Sequence, residues 1–176
     1  SRLLWSKGVK DFIEAAKIIS DRGLHVEFQL CGCPDPGNPD SVSEGYLSGL
    51  KSMKNMKILG HIDDILTVYS KSNVAVLPSY YGEGLPRTLI EASALGVPIV
   101  TTNMPGCSDA VIDGVTGFLI PPRRPDQLAK AIQKIYDSPH LAKKMSIKAK
   151  KFASRSFDIV EVDRLHQKIY LCFPTE

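Results

Sequence analysis

The chain has 176 residues, 43% of them hydrophobic, which is enough to bury one substantial core, and we expect one domain. Its net charge of +3 is spread along the chain apart from a lysine-rich helical pattern at 143–151, whose lysines have no interleaved aromatic residues, so we expect no nucleic-acid partner. No apolar run approaches the roughly 18 residues that span a bilayer, and the four cysteines have no CxxC spacing, so we expect a soluble, cytoplasmic protein.

The first third of the chain predicts a strand end, a helix, a strand and a loop. Residues 1–4 are typical of the end of a strand, without the residues that would begin it, so we expect a piece of a longer protein with its first strand truncated. Apolar residues at helical spacing predict a helix at 8–22, with Gly23 after its last turn. An alternating pattern predicts a strand at 26–30, followed by a proline-rich loop at 34–39.

The alternation of helix and strand continues along the rest of the chain. Helices are predicted at 42–54, at 63–70 and from Pro86, strands at 57–59, 74–77, 98–102 and 116–120, and three further helices up to residue 173. Parallel neighbours need crossover connections, so this order predicts an α/β fold with a Rossmann-like, doubly wound parallel sheet and extra C-terminal helices.

Ligands of such sheets bind beyond the carboxyl ends of the strands. We therefore expect the functional residues just after the strands that end at Leu4, Cys31, Leu59, Leu77 and Thr102.

A glycine-flanked segment after Leu77 runs directly into a helix and includes Glu83, Gly84, Leu85, Pro86 and, within the helix, Glu91. A helix N-terminus has free N–H groups and a partial positive charge, which suits a phosphate. The Glu91 carboxylate accepts hydrogen bonds, as paired ribose hydroxyls require, and Glu83 is placed to accept from a sugar. Two glutamates eight residues apart also occur by chance on surface helices, and the combination with glycines and proline at a strand end is what favours a site.

Other candidates follow the remaining strands. Arg2 and Lys7 lie where two cations suit a diphosphate, although most such residues are surface charges. Gly106 follows the strand at 98–102 and allows a ligand to approach the backbone, with a plain turn equally consistent. Gly32 and His61 are candidates near a base or sugar.

Several motifs of other enzymes are missing from the sequence. It has no GxGxxG and no GxxxxGK[ST], which argues against a nicotinamide dehydrogenase and a kinase-type fold. It has no HExxH and no Asp-x-Asp pair at a strand end, so we expect no catalytic metal and no cofactor.

Several segments, in order, resemble one enzyme family: the segment from Arg2 to Val9, Leu77 to Tyr80, Glu83 to Ala92, Gly96 to Val100, Pro105 to Cys107 and Asp113 to Pro121. Together they resemble the retaining glycosyltransferases of GT-B architecture, of the group 1 (family 4) type, over essentially the whole chain. The resemblance implies that residues 1–176 form the C-terminal nucleotide-sugar-binding domain of such an enzyme. It also implies a missing N-terminal acceptor domain as a partner.

The same resemblance implies roles for individual residues. Arg2 and Lys7 would contact the donor diphosphate, Glu83 the transferred sugar, Glu91 the ribose, and the amides of Gly84 and Leu85 the sugar or phosphate. The implied donor is a UDP-sugar, used without a metal, and the implied pathway is bacterial polysaccharide synthesis, with peripheral membrane association of the full enzyme.

Two alternative functions stay open at this point. One is a nucleotide-sugar-binding module without transfer chemistry, and the other is a different GT-B enzyme such as an epimerase. Because the acceptor domain is missing, we expect this chain to bind a donor with little or no transfer.

Overall fold

The structure is a computed structural model that describes residues 2–171. The predicted helix end at residue 173 lies outside the described residues. The helices are α1 Val9–Asp21, α2 Glu44–Leu50, α3 Ile65–Tyr69, α4 Arg87–Ala94, α5 Pro125–Tyr136, α6 Pro139–Ser156 and α7 Ile159–Leu171. The strands are β1 Phe28–Cys31, β2 Met56–Gly60, β3 Ala75–Leu77, β4 Ile99–Thr102 and β5 Gly117–Ile120. Within this part of the chain, no helix is both long and apolar enough to cross a membrane.

Apart from the strand end predicted at 1–4, the predicted helices and strands are present within residues 2–171, and their bounds differ by a few residues. The helix predicted at 42–54 begins at Glu44, because the Ser43 side chain caps it by accepting a hydrogen bond from the Tyr46 N–H, and it ends at Leu50. The helix predicted at 63–70 starts after Asp64, which caps it in the same way. Apolar periodicity locates an element, whereas side-chain capping decides where it begins.

The α/β class with parallel pairing is confirmed, but the strands form two sheets. One has the order β1-β2 and the other β3-β4-β5, and every pairing is parallel. The predicted strand end at 1–4 appears only as isolated bridges, Arg2 with Cys33 and Leu4 with Ser41. β1 and β3 are the facing outer strands of the two sheets, and a groove separates them.

The core lies on both faces of the sheets. Helices α1 and α5 pack together over β1 and part of β4, with fully buried residues such as Ile13, Ile19 and Leu128. A second cluster covers the other face, where Leu89 and Ala92 of α4 contact Ile99. Because every strand pairing is parallel, the strands of each sheet end on the same side, and this side is called the carboxyl edge below.

Candidate donor-binding site

The segment that follows Leu4 meets the loop after β3 at the carboxyl edge. The Ser6 carbonyl accepts hydrogen bonds from the Tyr80 N–H at 2.9 Å and from Ser79 Oγ at 3.1 Å. Gly8 has φ 76°, and a Cβ there would overlap the Pro78 carbonyl. Only glycine tolerates both conditions, so the backbone holds Lys7 directly beside the segment that carries Glu83.

Lys7 and Glu83 form an ion pair that joins these two segments. Lys7 Nζ lies 2.9 Å from Glu83 Oε2, and the two side chains are only 22% and 18% exposed. The other carboxylate oxygen, Glu83 Oε1, is buried and has no hydrogen-bond partner among the described residues. A buried acceptor without a donor is costly, and in a loop at the carboxyl edge it is typical of a position that a ligand hydroxyl completes.

Gly106 packs against the backbone of Glu83 and Gly84. It is buried at φ 80°, and a Cβ at this position would overlap the carbonyl oxygens of both residues. The Glu83 N–H also donates to the Pro105 carbonyl at 3.4 Å. The structure therefore brings Gly106, which follows β4, together with the loop that follows β3.

Helix α4 begins directly after this loop. Its first residue is Arg87, so Pro86 is buried as the residue before the helix rather than its first residue, and Gly84 and Leu85 are exposed in front of it. The Leu89 and Ile90 N–H groups donate to the Pro86 carbonyl, which leaves those of Arg87 and Thr88 in the first turn available to an anion.

Glu91 lies one helical turn after Arg87 on α4. Its Oε1 is 3.3 Å from Arg87 Nη2, and its side chain is 27% exposed. Burial raises the pKa of the nearby Tyr69 hydroxyl, and the Glu91 carboxylate raises it further. Tyr69 therefore stays a neutral hydroxyl beside a carboxylate that is half-buried but reachable.

The candidates on the two-stranded sheet are more exposed. The Arg2 guanidinium lies 3.0 Å from the Asp35 carboxylate and is 65% exposed, so its joint contact with Lys7 on one ligand stays a prediction. The Gly32 N–H donates to the Gly60 carbonyl at 2.8 Å, which brings the loops after β1 and β2 together. The His61 ring is exposed and lies 3.1 Å from Asp63.

Three buried polar residues that sequence reasoning missed support the carboxyl edge from beneath. Thr101 Oγ1 donates to the Leu77 carbonyl at 2.6 Å and Thr102 Oγ1 donates to the Ser79 carbonyl at 2.5 Å. Ser79, Thr101 and Thr102 are all fully buried. Hydroxyl residues at the ends of otherwise apolar strands were the available signal, since a buried hydroxyl needs a specific partner.

Arg123 was also missed, although it follows β5 at the same edge. Its guanidinium lies 4.4 Å from the centre of the Tyr80 ring, and its backbone is left-handed at φ 57°. The Asp11 carboxylate accepts a hydrogen bond from its backbone N–H. Applying the strand-end rule to β5 would have included this exposed cation as a candidate.

No three His, Cys, Asp or Glu side chains form a metal-binding group within residues 2–171. The predicted independence from metal stays a prediction.

The chain matches known glycosyltransferases in sequence and in structure. The family model "Glycosyl transferases group 1" matches residues 1–152. The capsular polysaccharide biosynthesis glycosyltransferase CapM of Staphylococcus aureus is 30% identical over 156 residues, covering 89% of this chain and 40% of that protein. Glycogen synthase of Mycobacterium tuberculosis is 33% identical over 172 residues, covering 97% of this chain and 41% of that protein.

Among solved structures, Anabaena HepE in complex with UDP superimposes with a TM-score of 0.88 at 26% identity, covering 98% of this chain and 47% of that one. A further structure of HepE contains UDP-glucose. The chain thus spans less than half the length of these proteins. The match over residues 1–152 shows that the chain belongs to the glycosyl transferases group 1 family.

Proposed function

We propose that this chain is the donor-binding half of a retaining glycosyltransferase that transfers a sugar from a UDP-sugar to a glycan or lipid-linked acceptor. The observation that carries the proposal is the state of Glu83. One of its oxygens is held by Lys7 at 2.9 Å, and the other is buried beside Gly106 and lacks a partner among the described residues. A sugar hydroxyl at this point supplies the missing hydrogen-bond donor.

We expect positively charged groups and N–H donors to bind the diphosphate. Lys7 and the first-turn N–H groups of α4 flank the Glu83 loop, and together they provide a cation and a helix N-terminus. As the bond between sugar and diphosphate breaks, negative charge develops on the leaving group, and these donors stabilise it. This role requires neither a metal nor a covalent intermediate.

Glu91 is assigned to the ribose and the loops of Gly32 and His61 to the base. Glu91 is half-buried on α4, the helix that follows the Glu83 loop. The structures of HepE with UDP and UDP-glucose support the choice of UDP. This assignment also requires Arg2 to leave Asp35 and turn toward the diphosphate.

The acceptor and the pathway are inferred from relatives. CapM is named for capsular polysaccharide synthesis, and a Campylobacter jejuni relative, 31% identical over 141 residues, is named as an N-acetylgalactosaminyltransferase that acts on a diphospho-undecaprenol-linked sugar. We therefore propose bacterial polysaccharide synthesis as the pathway, and the cytoplasm as the location. An acceptor-binding domain of the same parent protein would complete the enzyme.

Calorimetric titration of this chain with UDP, GDP and their glucose conjugates tests the donor site. We expect UDP to bind more tightly than GDP, and Lys7→Met to weaken UDP binding by about 10- to 100-fold, as loss of a charge-assisted contact requires. Lys10→Met is the matched control, since Lys10 is an exposed lysine three residues later and should leave binding unchanged. Equal effects of both variants would contradict the assignment.

Glu83→Gln separates sugar recognition from phosphate recognition. Because Glu83 is assigned to the sugar, we expect this variant to weaken UDP-glucose more than UDP. A uniform loss for both ligands would place Glu83 outside the sugar site. In a transfer assay with UDP-glucose, we expect binding without measurable turnover by this chain, and turnover would contradict the need for a second domain.

We also propose that the parent enzyme associates with an anionic membrane surface, because helix α6 carries a concentrated positive charge. Its six basic residues are Lys143, Lys144, Lys148, Lys150, Lys151 and Arg155. It has no acidic residue, whereas the rest of the chain has sixteen Lys and Arg against nineteen Asp and Glu. Basic residues near an anionic bilayer contribute roughly 1 kcal/mol each.

Co-sedimentation with phosphatidylserine-containing vesicles tests this surface. We expect binding that is lost in Lys144→Glu/Lys148→Glu and kept in Lys54→Glu/Lys71→Glu, which changes the net charge equally at exposed sites elsewhere. Equal binding to pure phosphatidylcholine vesicles would contradict the electrostatic basis.

A further inference from the structure

The loop at 34–42, which follows β1, lies along the segment that precedes α1. Leu4 forms an antiparallel bridge with Ser41, and the Val42 N–H donates to the Leu3 carbonyl at 2.9 Å. Val42 is fully buried in the core, so this end of the loop is anchored. The loop therefore contacts the segment before α1 in a defined register.

Asp40 of this loop contacts the segment at three points. Its carbonyl accepts a hydrogen bond from the Trp5 N–H at 2.8 Å. Its side-chain oxygen Oδ2 accepts one from the Ser6 N–H at 3.1 Å and another from the Ser6 hydroxyl. An ionised carboxylate only accepts hydrogen bonds, and one that accepts both donors of the same residue restricts the position and the orientation of that residue.

Ser6 is held from a second loop as well. Its carbonyl accepts hydrogen bonds from the Tyr80 N–H at 2.9 Å and from Ser79 Oγ at 3.1 Å. The N–H of Ser6 is thus bound by the loop after β1, and its carbonyl is bound by the loop after β3. Because β1 and β3 belong to different sheets, this residue links the two sheets at the carboxyl edge.

Lys7 follows Ser6 directly and is the last residue of a single 3-10 turn at Trp5–Lys7. The Lys7 N–H donates to the Leu4 carbonyl at 3.2 Å, and the Gly8 N–H donates to the Trp5 carbonyl at 2.9 Å. A turn this short is tight, and its residues move together. The position of the Lys7 backbone therefore depends on how Ser6 is held.

Asp40 is oriented by hydrogen bonds within its own loop. Its N–H donates to Asn38 Oδ1 at 3.0 Å, and the Ser41 N–H donates to the Asn38 carbonyl at 3.0 Å. The Asp35 N–H donates to Ser41 Oγ at 2.8 Å and closes the loop. The carboxylate is therefore directed at Ser6 by a loop that has its own internal hydrogen bonds.

The charge of Asp40 argues against direct contact with a diphosphate. Because this carboxylate contacts the residue next to Lys7, its negative charge by itself opposes the binding of an anion there. Its hydrogen bonds to Ser6 favour binding if they keep Lys7 in place. The two effects have opposite signs, so substitutions at Asp40 can separate them.

We propose that Asp40 is a positioning residue of the donor site. It holds the Ser6 peptide group so that Lys7 Nζ, which lies 2.9 Å from Glu83 Oε2, is presented to the diphosphate. This inference rests on the proposed function, in which Lys7 contacts the diphosphate. Asp40 acts through Lys7 and contacts no part of the donor itself.

Calorimetric titration of Asp40→Ala and Asp40→Asn with UDP tests the proposal. We expect Asp40→Ala to weaken UDP binding by about 10-fold, because both Ser6 donors lose their acceptor. Asp40→Asn keeps an acceptor and should stay within about 2-fold of wild type. Asp113→Ala is the matched control: the Asp113 carboxylate also accepts a backbone hydrogen bond, from the Leu119 N–H at 2.9 Å, but it precedes β5, and UDP binding should be unchanged.

Two further measurements separate positioning from a general loss of structure. In the Lys7→Met background, we expect Asp40→Ala to change UDP affinity by less than about 2-fold, because the residue through which Asp40 acts is gone. In the chain without ligand, we expect Asp40→Ala to accelerate amide hydrogen exchange at Tyr80 by about 10-fold, since this N–H donates to the Ser6 carbonyl. Exchange at Leu119 should not change.

Three results would overturn the proposal. One is a UDP affinity of Asp40→Ala equal to or above that of wild type, since the charge of Asp40 would then outweigh its hydrogen bonds. A second is an equal loss in the wild-type and Lys7→Met backgrounds, since Asp40 would then act independently of Lys7. A third is unchanged exchange at Tyr80. An unchanged UDP affinity in Lys7→Met alone would instead contradict the proposed function, and this inference with it.

Discussion

The two sheets hold their candidate site residues in different ways. On the three-stranded sheet, Glu83 and Gly106 are held by buried contacts, above hydroxyls of Thr101 and Thr102 that are fully buried. Beside the two-stranded sheet, Arg2 and His61 are exposed, and they lie next to the carboxylates of Asp35 and Asp63. The difference teaches that the position proposed for the transferred sugar is held by buried contacts, whereas the candidates beside the two-stranded sheet lie at the surface.

The largest expected effect is that of Gly106→Ala on the three-stranded sheet. A Cβ there overlaps two carbonyls at φ 80°, so we expect a loss of about 3 kcal/mol in the free energy of unfolding and a loss of UDP-glucose binding. Urea denaturation and calorimetry measure both quantities.

Gly37→Ala is the matched control beside the two-stranded sheet. Gly37 has a similar φ of 87°, but a Cβ there meets nothing within 4 Å, so only the strain of about 1 kcal/mol remains. Equal effects of the two variants would mean that the contact with Glu83 and Gly84 contributes nothing.

Thr102→Val tests the buried hydroxyl beneath the site. It keeps the shape of the side chain but leaves the Ser79 carbonyl without its 2.5 Å hydrogen bond, and we expect a loss of about 2 kcal/mol in urea denaturation. The exposed Thr67, bonded to the Asp64 carbonyl, is the control, and Thr67→Val should cost less than about 0.5 kcal/mol. If Thr102→Val were as stable as Thr67→Val, the buried hydroxyl of Thr102 would not stabilise the carboxyl edge.

The pH dependence of the stability of Asp11→Asn tests the contact between Asp11 and Arg123, which follows β5. Burial and the neighbouring Glu14 raise the pKa of Asp11 above 3.8, while Arg123 and Lys10 oppose the rise. The folded state therefore binds this proton more tightly than the unfolded state, and the protein loses stability as pH rises from 3.8 through the raised pKa. Asn keeps an acceptor for the Arg123 N–H, so we expect its stability relative to wild type to increase from pH 4 to pH 7.

Asp126→Asn provides a comparison of opposite sign. Hydrogen bonds from Arg124 lower the pKa of Asp126 from 3.8 to about 2. The wild type should therefore lose its advantage over this variant as pH falls from about 4 to about 2. Parallel trends for the two variants in urea titrations would contradict the assigned causes.

The smallest expected change in stability is that of Arg2→Met on the two-stranded sheet. Because the ion pair with Asp35 is exposed, we expect less than about 0.5 kcal/mol in stability but a tenfold loss in UDP affinity if Arg2 reaches the diphosphate. Asp35→Asn releases the same ion pair without removing the cation, and should leave UDP affinity at or above wild type. Weaker UDP binding by Asp35→Asn than by Arg2→Met would contradict the assignment of Arg2 to the diphosphate.

Much of the fold and part of the site could be predicted from local patterns. Apolar spacing located each helix and strand, and the rule that ligands bind at strand ends selected Lys7, Glu83 and Gly106, which the structure brings into contact. The same rule, not applied to β5, would have added Arg123. The hydroxyl residues Ser79 and Thr102 at the strand ends were visible in the sequence, but the hydrogen bond that joins them across the sheet was not.

The sequence by itself determined the α/β class, the order of elements and the family, because periodicity and short motifs are properties of neighbouring residues. Only the tertiary structure decided that Lys7 pairs with Glu83 across 76 positions, that one Glu83 oxygen has no hydrogen-bond partner within residues 2–171, and that the strands form two sheets. These features depend on packing between distant segments, where each backbone group and charge must find its partner, and no local pattern encodes that outcome.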